Sequence, residues 1–278
     1  MNKGYIAVID SGIGGLSLLY ELVKIMPNER YIYFGDNDNA PYGSKTKREL
    51  LSLTIENIRK LIPFNLKAIV LACNTLSVSI LEELKYYFPS IKFFGVFPPT
   101  EIATLRKRKT LLLCTPNTAK IYKNDNYLTV VPLENLAKDI ENNVCDLEKV
   151  DLRLHLTEAV LKIQDKSARE DLTTFGNGLT TKKLKIIFDH RIEYFEAVIL
   201  GCTHYFFIKN KIFNHFQPQL IIRGETFTAR KVKKELQHQK TLEKTKRFNV
   251  LFFGKNASLN SKIFYSITDF KTKSLKIF

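Results

Sequence analysis

Short apolar runs that end on small and polar residues recur along the chain. After each, apolar positions return every three or four residues. The first run is Ile6-Ala7-Val8-Ile9, closed by Asp10-Ser11-Gly12-Ile13-Gly14-Gly15. Leu16, Leu18, Leu19, Leu22 and Val23 then mark a helix that stops near Pro27. Tyr31 to Gly35 is a second run that turns at Asp36, and the residues from Asn37 to Gly43 read as a loop. A long helix from about Lys47 to Leu61 leads to the run Ala68 to Leu71. A helix over 78–88 and a strand from Lys92 to Phe97 follow, stopped by Pro98-Pro99. Consecutive branched apolar residues without alternation suit strands buried on both faces. Strands alternating with helices predict a parallel sheet covered by helices on both faces.

A second series repeats this order. Thr110-Leu111-Leu112-Leu113-Cys114 turns at Thr115-Pro116-Asn117-Thr118 and reaches a strand from Tyr127 to Val131. Helical patterns fill most of 134–195, broken around Thr173 to Thr181, and Ala197-Val198-Ile199-Leu200 follows. A helix near 206–216, a strand from Leu220 to Ile222, a basic helix over 226–239 and a strand from Asn249 to Phe253 complete the pattern. Residues 240–247 and 254–278 carry little. The shared order reads as a duplicated domain, with a period too long for a solenoid. The expected division is 1–97 plus 206–278 as a discontinuous first α/β domain and 98–205 as the second.

The two halves also share a chemical device. Ala68-Ile69-Val70-Leu71-Ala72-Cys73-Asn74-Thr75 and Ala197-Val198-Ile199-Leu200-Gly201-Cys202-Thr203-His204 each run into a cysteine and then into residues whose side-chain oxygens can cap a helix. Each cysteine is therefore expected at the carboxyl end of a parallel strand and the amino end of a helix. Open α/β sheets bind ligands there, and the helix dipole there favours a thiolate. One sulfur can remove a proton from a carbon acid while the other delivers one to the opposite face. A lone cysteine would read as packing; the repetition favours function.

Composition narrows the picture. The chain has 278 residues, with 43 Lys and Arg against 28 Asp and Glu for a net charge of +15. The basic runs (Lys45 to Arg48, Arg106 to Lys109, Lys182 to Lys185, Lys231 to Lys234) are scattered and lack regular aromatic interleaving. A solvated lysine-rich exterior is favoured over a nucleic-acid surface. No apolar stretch is long enough to cross a bilayer. The opening residues run straight into a strand, and four cysteines do not make a disulfide framework, so the reading is cytoplasmic with reduced thiols.

Other chemistry is weaker. Asp10 closes the first strand, where its carboxylate suits a substrate ammonium and the following amides suit a carboxylate. Ser17 stands where a dinucleotide fingerprint needs its third glycine, and no lysine makes a phosphate loop. Asp36 with Pro41-Tyr42-Gly43 reads alone as a plain turn. His204 reads equally as a proton partner for Cys202 or as a buried packing residue. No ligand spacing supports zinc. Cys114 and Cys145 read as structural, with Cys114 placed by its strand end near the pocket, and His155, His190, His215 and His238 as surface or packing residues.

Taken together, Asp10-Ser11-Gly12-Ile13-Gly14-Gly15-Leu16-Ser17, Gly35-Asp36 with Pro41-Tyr42-Gly43, Ala72-Cys73-Asn74-Thr75, Gly95-Val96, Thr115-Pro116-Asn117-Thr118 and Gly201-Cys202-Thr203-His204-Tyr205 resemble the glutamate racemase family. Their order matches through the first 118 residues and again from about 197 to 230. The resemblance implies two pseudo-twofold-related parallel-sheet domains with the active site at the domain interface. It implies interconversion of L- and D-glutamate without pyridoxal phosphate, metal or other cofactor, supplying D-glutamate for peptidoglycan.

On the same footing Cys73 and Cys202 are the paired acid and base, with Asp10 and His204 also catalytic. Asp10, Ser11, Tyr42, Gly43, Asn74, Thr75, Thr203 and His204 hold the substrate's amino and carboxylate groups. Thr118 is a further carboxylate contact, and Asp36 assists a thiol. For the family's glutamate near the second cysteine, Asp139 has the spacing and Glu141 the identity. Phe206 stands where the family usually has proline, and Ile222-Arg223-Gly224 lacks its usual polar residues. The partner implied is a small molecule, glutamate, with no membrane and with a homodimer left open. The alternatives are a racemase of aspartate or another amino acid, and a catalytically silent protein with a basic nucleic-acid-binding surface.

Overall fold

The computed structural model describes residues 4–159, 195–243, 249–268 and 275–277. The chain divides into two compact units, 1–97 with 224–278, and 98–223. Residues 206–223, expected with the first domain, lie in the second. The reason is strand pairing, because 220–223 extends the second sheet.

In the first unit β1 (Tyr5–Asp10), α1 (Leu16–Ile25), β2 (Arg30–Gly35), α2 (Lys47–Leu61), β3 (Leu66–Leu71), α3 (Asn74–Tyr87) and β4 (Phe93–Gly95) alternate as the pattern predicts. In the second, β5 (Thr110–Cys114) and β6 (Leu128–Pro132) are followed by α6 (Leu136–Asn142), after α4 (Glu101–Leu105) and α5 (Pro116–Ala119). A helix through 152–159, here α7, comes next. Then β7 (Ala197–Gly201), a 3₁₀ run Thr203–Ile208, α8 (Lys209–Phe216) and β8 (Leu220–Arg223) complete it. The chain returns to the first unit with α9 (Gly224–His238), β9 (Asn249–Phe253), α10 (Ala257–Ser266) and β10 (Leu275–Ile277).

Both sheets are parallel among the described strands. The first has the order β10-β9-β2-β1-β3-β4 and the second β6-β5-β7-β8. The run 2-1-3-4 of one unit is the run 6-5-7-8 of the other, so β1 corresponds to β5 and β3 to β7. This is the duplication legible in the sequence, now expressed as topology. In each sheet the chain winds outward from a central strand on one side and then on the other. The strand order reverses between β1 and β3, and between β5 and β7.

The cores follow from the runs. On one face of the first sheet Ala7, Ile9, Ile32, Phe34, Ile69 and Leu71 pack against Leu50, Ile58 and Leu61 of α2 and Leu76, Ile80 and Leu84 of α3. On the other face Tyr31 donates its hydroxyl hydrogen bond to α1 and its C-cap (Leu22 O at 3.1 Å, Met26 O at 2.9 Å). Helices thus cover both faces. In the second unit Leu112, Cys114, Val130, Ala197, Ile199 and Ile222 form a buried cluster with Ala103 and Ala119.

Several boundaries differ from expectation. Helix α3 begins at Asn74 rather than 78, because Ser77 N already donates to Cys73 O at 3.0 Å. Asn74, Thr75 and Thr203 are not caps; Cys73 and Cys202 themselves hold the N-cap positions, without side-chain capping bonds. The strand expected over 92–97 is only Phe93–Gly95. The helix expected over 206–216 is a 3₁₀ run that passes into α8. The tail has more structure than its pattern shows: Gly254 turns with φ 102°, and α10 and the edge strand β10 follow. The break expected at 173–181, the basic run Lys182 to Lys185 and His190 lie outside the described residues.

Candidate functional site

The carboxyl ends of β1, β2 and β3 carry the first group of expected residues. Asp10 ends β1, Asp36 follows β2, and Cys73 stands between β3 and α3. The strands are locked there by backbone bonds, Asp36 N to Asp10 O at 3.0 Å and Ala72 N to Ile9 O at 2.8 Å. Asp10 is fully buried, and its Oδ2 accepts from Gly12 N at 3.2 Å and Gly15 N at 2.9 Å. Gly15 allows this close approach: a Cβ there would lie 2.6 Å from Asp10 Cβ and 2.7 Å from Ala72 Cβ. Tyr33 tightens the same turn by donating its hydroxyl hydrogen bond to Gly12 O.

Asp36 is more than the turn residue its local sequence suggests. Its carboxylate accepts from the Tyr42 hydroxyl, from Asn39 Nδ2 at 2.9 Å and 3.1 Å, and from Asn57 Nδ2 at 3.1 Å. Burial, then the negative charges of Asp36, Cys73 and Asp10 and the hydrogen bond to Asp36, push the Tyr42 phenol far above its ordinary range. Tyr42 is therefore a neutral hydroxyl beside Cys73 and Asp10. Ser11, Gly43, Asn74 and Thr75 are also buried on this edge. Asn74 Oδ1 is buried with no hydrogen-bond partner among the described residues, which leaves an acceptor for a polar ligand.

The second unit gathers its residues at the equivalent edge. Cys202 follows β7 as Cys73 follows β3, and each cysteine is 7% exposed. Cys202 Sγ lies 3.8 Å from His204 Nδ1, and His204 Nε2 lies 2.6 Å from Glu141 Oε2. Burial alone would lower the pKa of His204. The hydrogen bonds to Cys202 and Glu141, and the charges of both, overcome it and hold the imidazole well above its usual value. Thr118 is fully buried after β5, its N donating to Thr115 Oγ1 at 3.4 Å. Thr203 is buried beside His204.

Glu141, not Asp139, meets His204. The two stand two residues apart on α6, which turns them to different neighbours. Asp139 Oδ2 meets His155 Nε2 at 3.0 Å, and its Oδ1 accepts from Asn143 Nδ2 at 2.8 Å. His155, expected as a surface or packing residue, is buried, and its carboxylate partner is what its sequence pattern did not show.

Cys114, expected as structural though near the pocket at its strand end, and Tyr205 both lie in the electrostatic field of Cys202. Burial, and then the neighbouring Cys202 and Cys114 sulfurs, raise the Tyr205 phenol well above its ordinary value. Burial and then Cys202 raise the Cys114 thiol likewise. Strand register sets Cys114 opposite Gly201, the residue before Cys202. The positions noted at Phe206 and Arg223 prove to be partners: the Arg223 guanidinium stacks over the Phe206 ring at 4.8 Å. No group of three or more potential metal-ligating side chains occurs among the described residues. No helix among them is long and apolar enough to cross a membrane.

Comparison with known proteins extends this geometry. The chain is 31% identical over 266 residues to a glutamate racemase of Clostridium botulinum, covering 91% of this chain and 92% of that one. It is 32% identical over 277 residues to a glutamate racemase of Clostridium perfringens, with 93% and 95% covered. Among solved structures it superposes on the glutamate racemase isoform RacE1 of Bacillus anthracis with a TM-score of 0.73 at 26% identity, covering 100% of this chain and 98% of that one. It also superposes on that of Francisella tularensis in complex with D-glutamate with a TM-score of 0.71 at 25% identity, with 100% and 98% covered. No family model matches the chain.

Proposed function

The chain belongs to the glutamate racemase family, an isomerase family, and we propose that it interconverts L- and D-glutamate by passing protons between the α-carbon and two thiols, Cys73 and Cys202. The observation that carries this reading is positional equivalence. The two cysteines follow corresponding strands, β3 and β7, each where its sheet's strand order reverses.

In the proposed reaction one sulfur, as thiolate, removes the α-proton, and the thiol on the opposite face gives its own proton to the carbanion. The C–H bond broken on one face is replaced by one formed on the other. The two sulfurs exchange protonation states, ready for the reverse turnover. Fixed placement and exclusion of water supply much of the barrier reduction. His204 stands beside Cys202 as a cation that stabilises its thiolate, and Glu141 holds His204 in that state.

Asp10 receives the substrate ammonium, its carboxylate aimed by the Gly12 and Gly15 amides. Asn74 Oδ1 accepts a further ammonium hydrogen. Ser11, Gly43, Thr75, Thr118 and Thr203 hold the carboxylate, with Tyr42 and His204 lining the same substrate pocket. The Tyr42 hydroxyl hydrogen is given to Asp36, and the His204 ring nitrogens to Cys202 and Glu141. Cytoplasmic supply of D-glutamate for peptidoglycan is the role this activity fits.

The test is α-proton exchange in deuterated water, followed by NMR and circular dichroism, with no cofactor added. Deuterium should enter the α-position of both glutamate enantiomers, and optical activity should fall to zero. Faster exchange on aspartate would reassign the substrate. Exchange with neither amino acid would overturn the reading.

A further inference from the structure

Helix α6 places the carboxylate that touches His204. It is seven residues long, and its N-cap residue Asn135 makes no side-chain capping bond. Helices this short are not stable alone and take their orientation from tertiary anchors. Leu136, Ala137 and Ile140 bury one side. Its polar anchor is Asp139, which accepts from Asn143 Nδ2 at 2.8 Å through Oδ1 and meets His155 Nε2 at 3.0 Å through Oδ2.

His155 is itself held. It lies in α7, whose first turn is capped by Asp151 Oδ1, accepting from Arg153 N at 2.9 Å and Leu154 N at 3.3 Å. Its ring is buried, and its Nδ1 lies 3.8 Å from Glu158 Oε2. A carboxylate only accepts, so Nε2 carries the hydrogen toward Asp139. A chain of contacts therefore runs from α7 through His155 and Asp139 across α6 to Glu141, His204 and Cys202.

We infer that His155 is a positioning residue for the proton-transfer assembly, setting the rotation of α6 so that Glu141 stays against His204. This rests on the roles proposed above for Cys202, His204 and Glu141. Asp139 and His155 then touch no substrate and act only through the placement of Glu141. Displacements on the scale of an ångström at such a site cost up to about a hundredfold in rate.

The experiment is a double-mutant cycle on racemisation with His155→Leu, Glu141→Gln and the two combined, together with the rescue variant His155→Gln and thermal unfolding of each. H155L should lower kcat about tenfold with KM within about twofold, and H155Q, which keeps an N–H for Asp139, should recover most of it. Combined with E141Q, H155L should add almost nothing, because its effect is transmitted through Glu141. Asp139→Asn, which keeps the side chain's size, should slow turnover in the same direction and carries the test should H155L not fold. Slow E141Q with normal H155L or normal D139N overturns the inference alone, as do losses that multiply in the double variant. A normal E141Q overturns the role of Glu141 and the inference with it.

Discussion

At His204 burial and hydrogen bonding act in opposite directions on one proton. Burial favours the neutral ring, while Cys202 on Nδ1 and Glu141 on Nε2 favour the cation and prevail. With the folded pKa raised above the unfolded value of ~6.5, protonation of His204 stabilises the fold fully below that value. The contribution is lost as pH rises through the folded pKa. Imidazole NMR should accordingly find His204 protonated above pH 6.5 and should find its pKa lowered in Glu141→Gln. Titration near the ordinary value, unchanged by E141Q, would contradict this.

The identity of the assisting carboxylate illustrates what residues alone conceal. Asp139 and Glu141 are both acidic and close in sequence, and only the rotation of α6 decides which reaches His204. Asp36 is similar: its neighbours Tyr42 and Asn39 are local, but Asn57 arrives from α2.

Among the elements, strands were the more legible, because burial on both faces requires unbroken apolar runs. Helix α2 was also readable, since Thr46 and Glu49 form a capping box at its start, with Glu49 Oε2 accepting from Thr46 N at 2.8 Å. Helix α10 was not, because its buried positions are Ala257, Asn260, Ser261 and Phe264, which make no apolar stripe. The start of α3 was missed for the same reason, as Asn74, Thr75 and Ser77 are buried and polar.

One buried contact between elements is an ion pair that no periodicity reveals. Lys67 Nζ meets Glu29 in the interior and also donates to Thr241 O at 3.0 Å, while Glu29 Oε1 accepts from Glu243 N at 2.8 Å. Strand β3 and the turn leading into β2 are thereby tied to the segment after α9. Lys67→Met leaves the Glu29 charge buried and should cost about 3–5 kcal/mol in denaturant unfolding. Lys85→Met, at the exposed pair with Glu82, should cost under about 1 kcal/mol. Equal effects of the two substitutions would contradict the account.

For the molecule as a whole, the sequence disclosed two halves with one strand order, and the sheets bear this out as matching runs, 2-1-3-4 and 6-5-7-8. The boundary at 206–223 was misplaced because the second cysteine motif looks like the end of a series, although β8 still had to pair with β7. The basic residues include several on the exposed side of α9, Arg230, Lys231 and Lys234.

What unites the halves chemically is a cysteine at the same place in each, and turnover by single-cysteine variants tests that most directly. Cys73→Ala and Cys202→Ala, each folded by circular dichroism, should lose racemisation of glutamate by about 10²- to 10⁴-fold or more. Cys145→Ala, at an exposed position, should retain it. Full turnover in either of the first two variants would contradict a mechanism that needs both thiols.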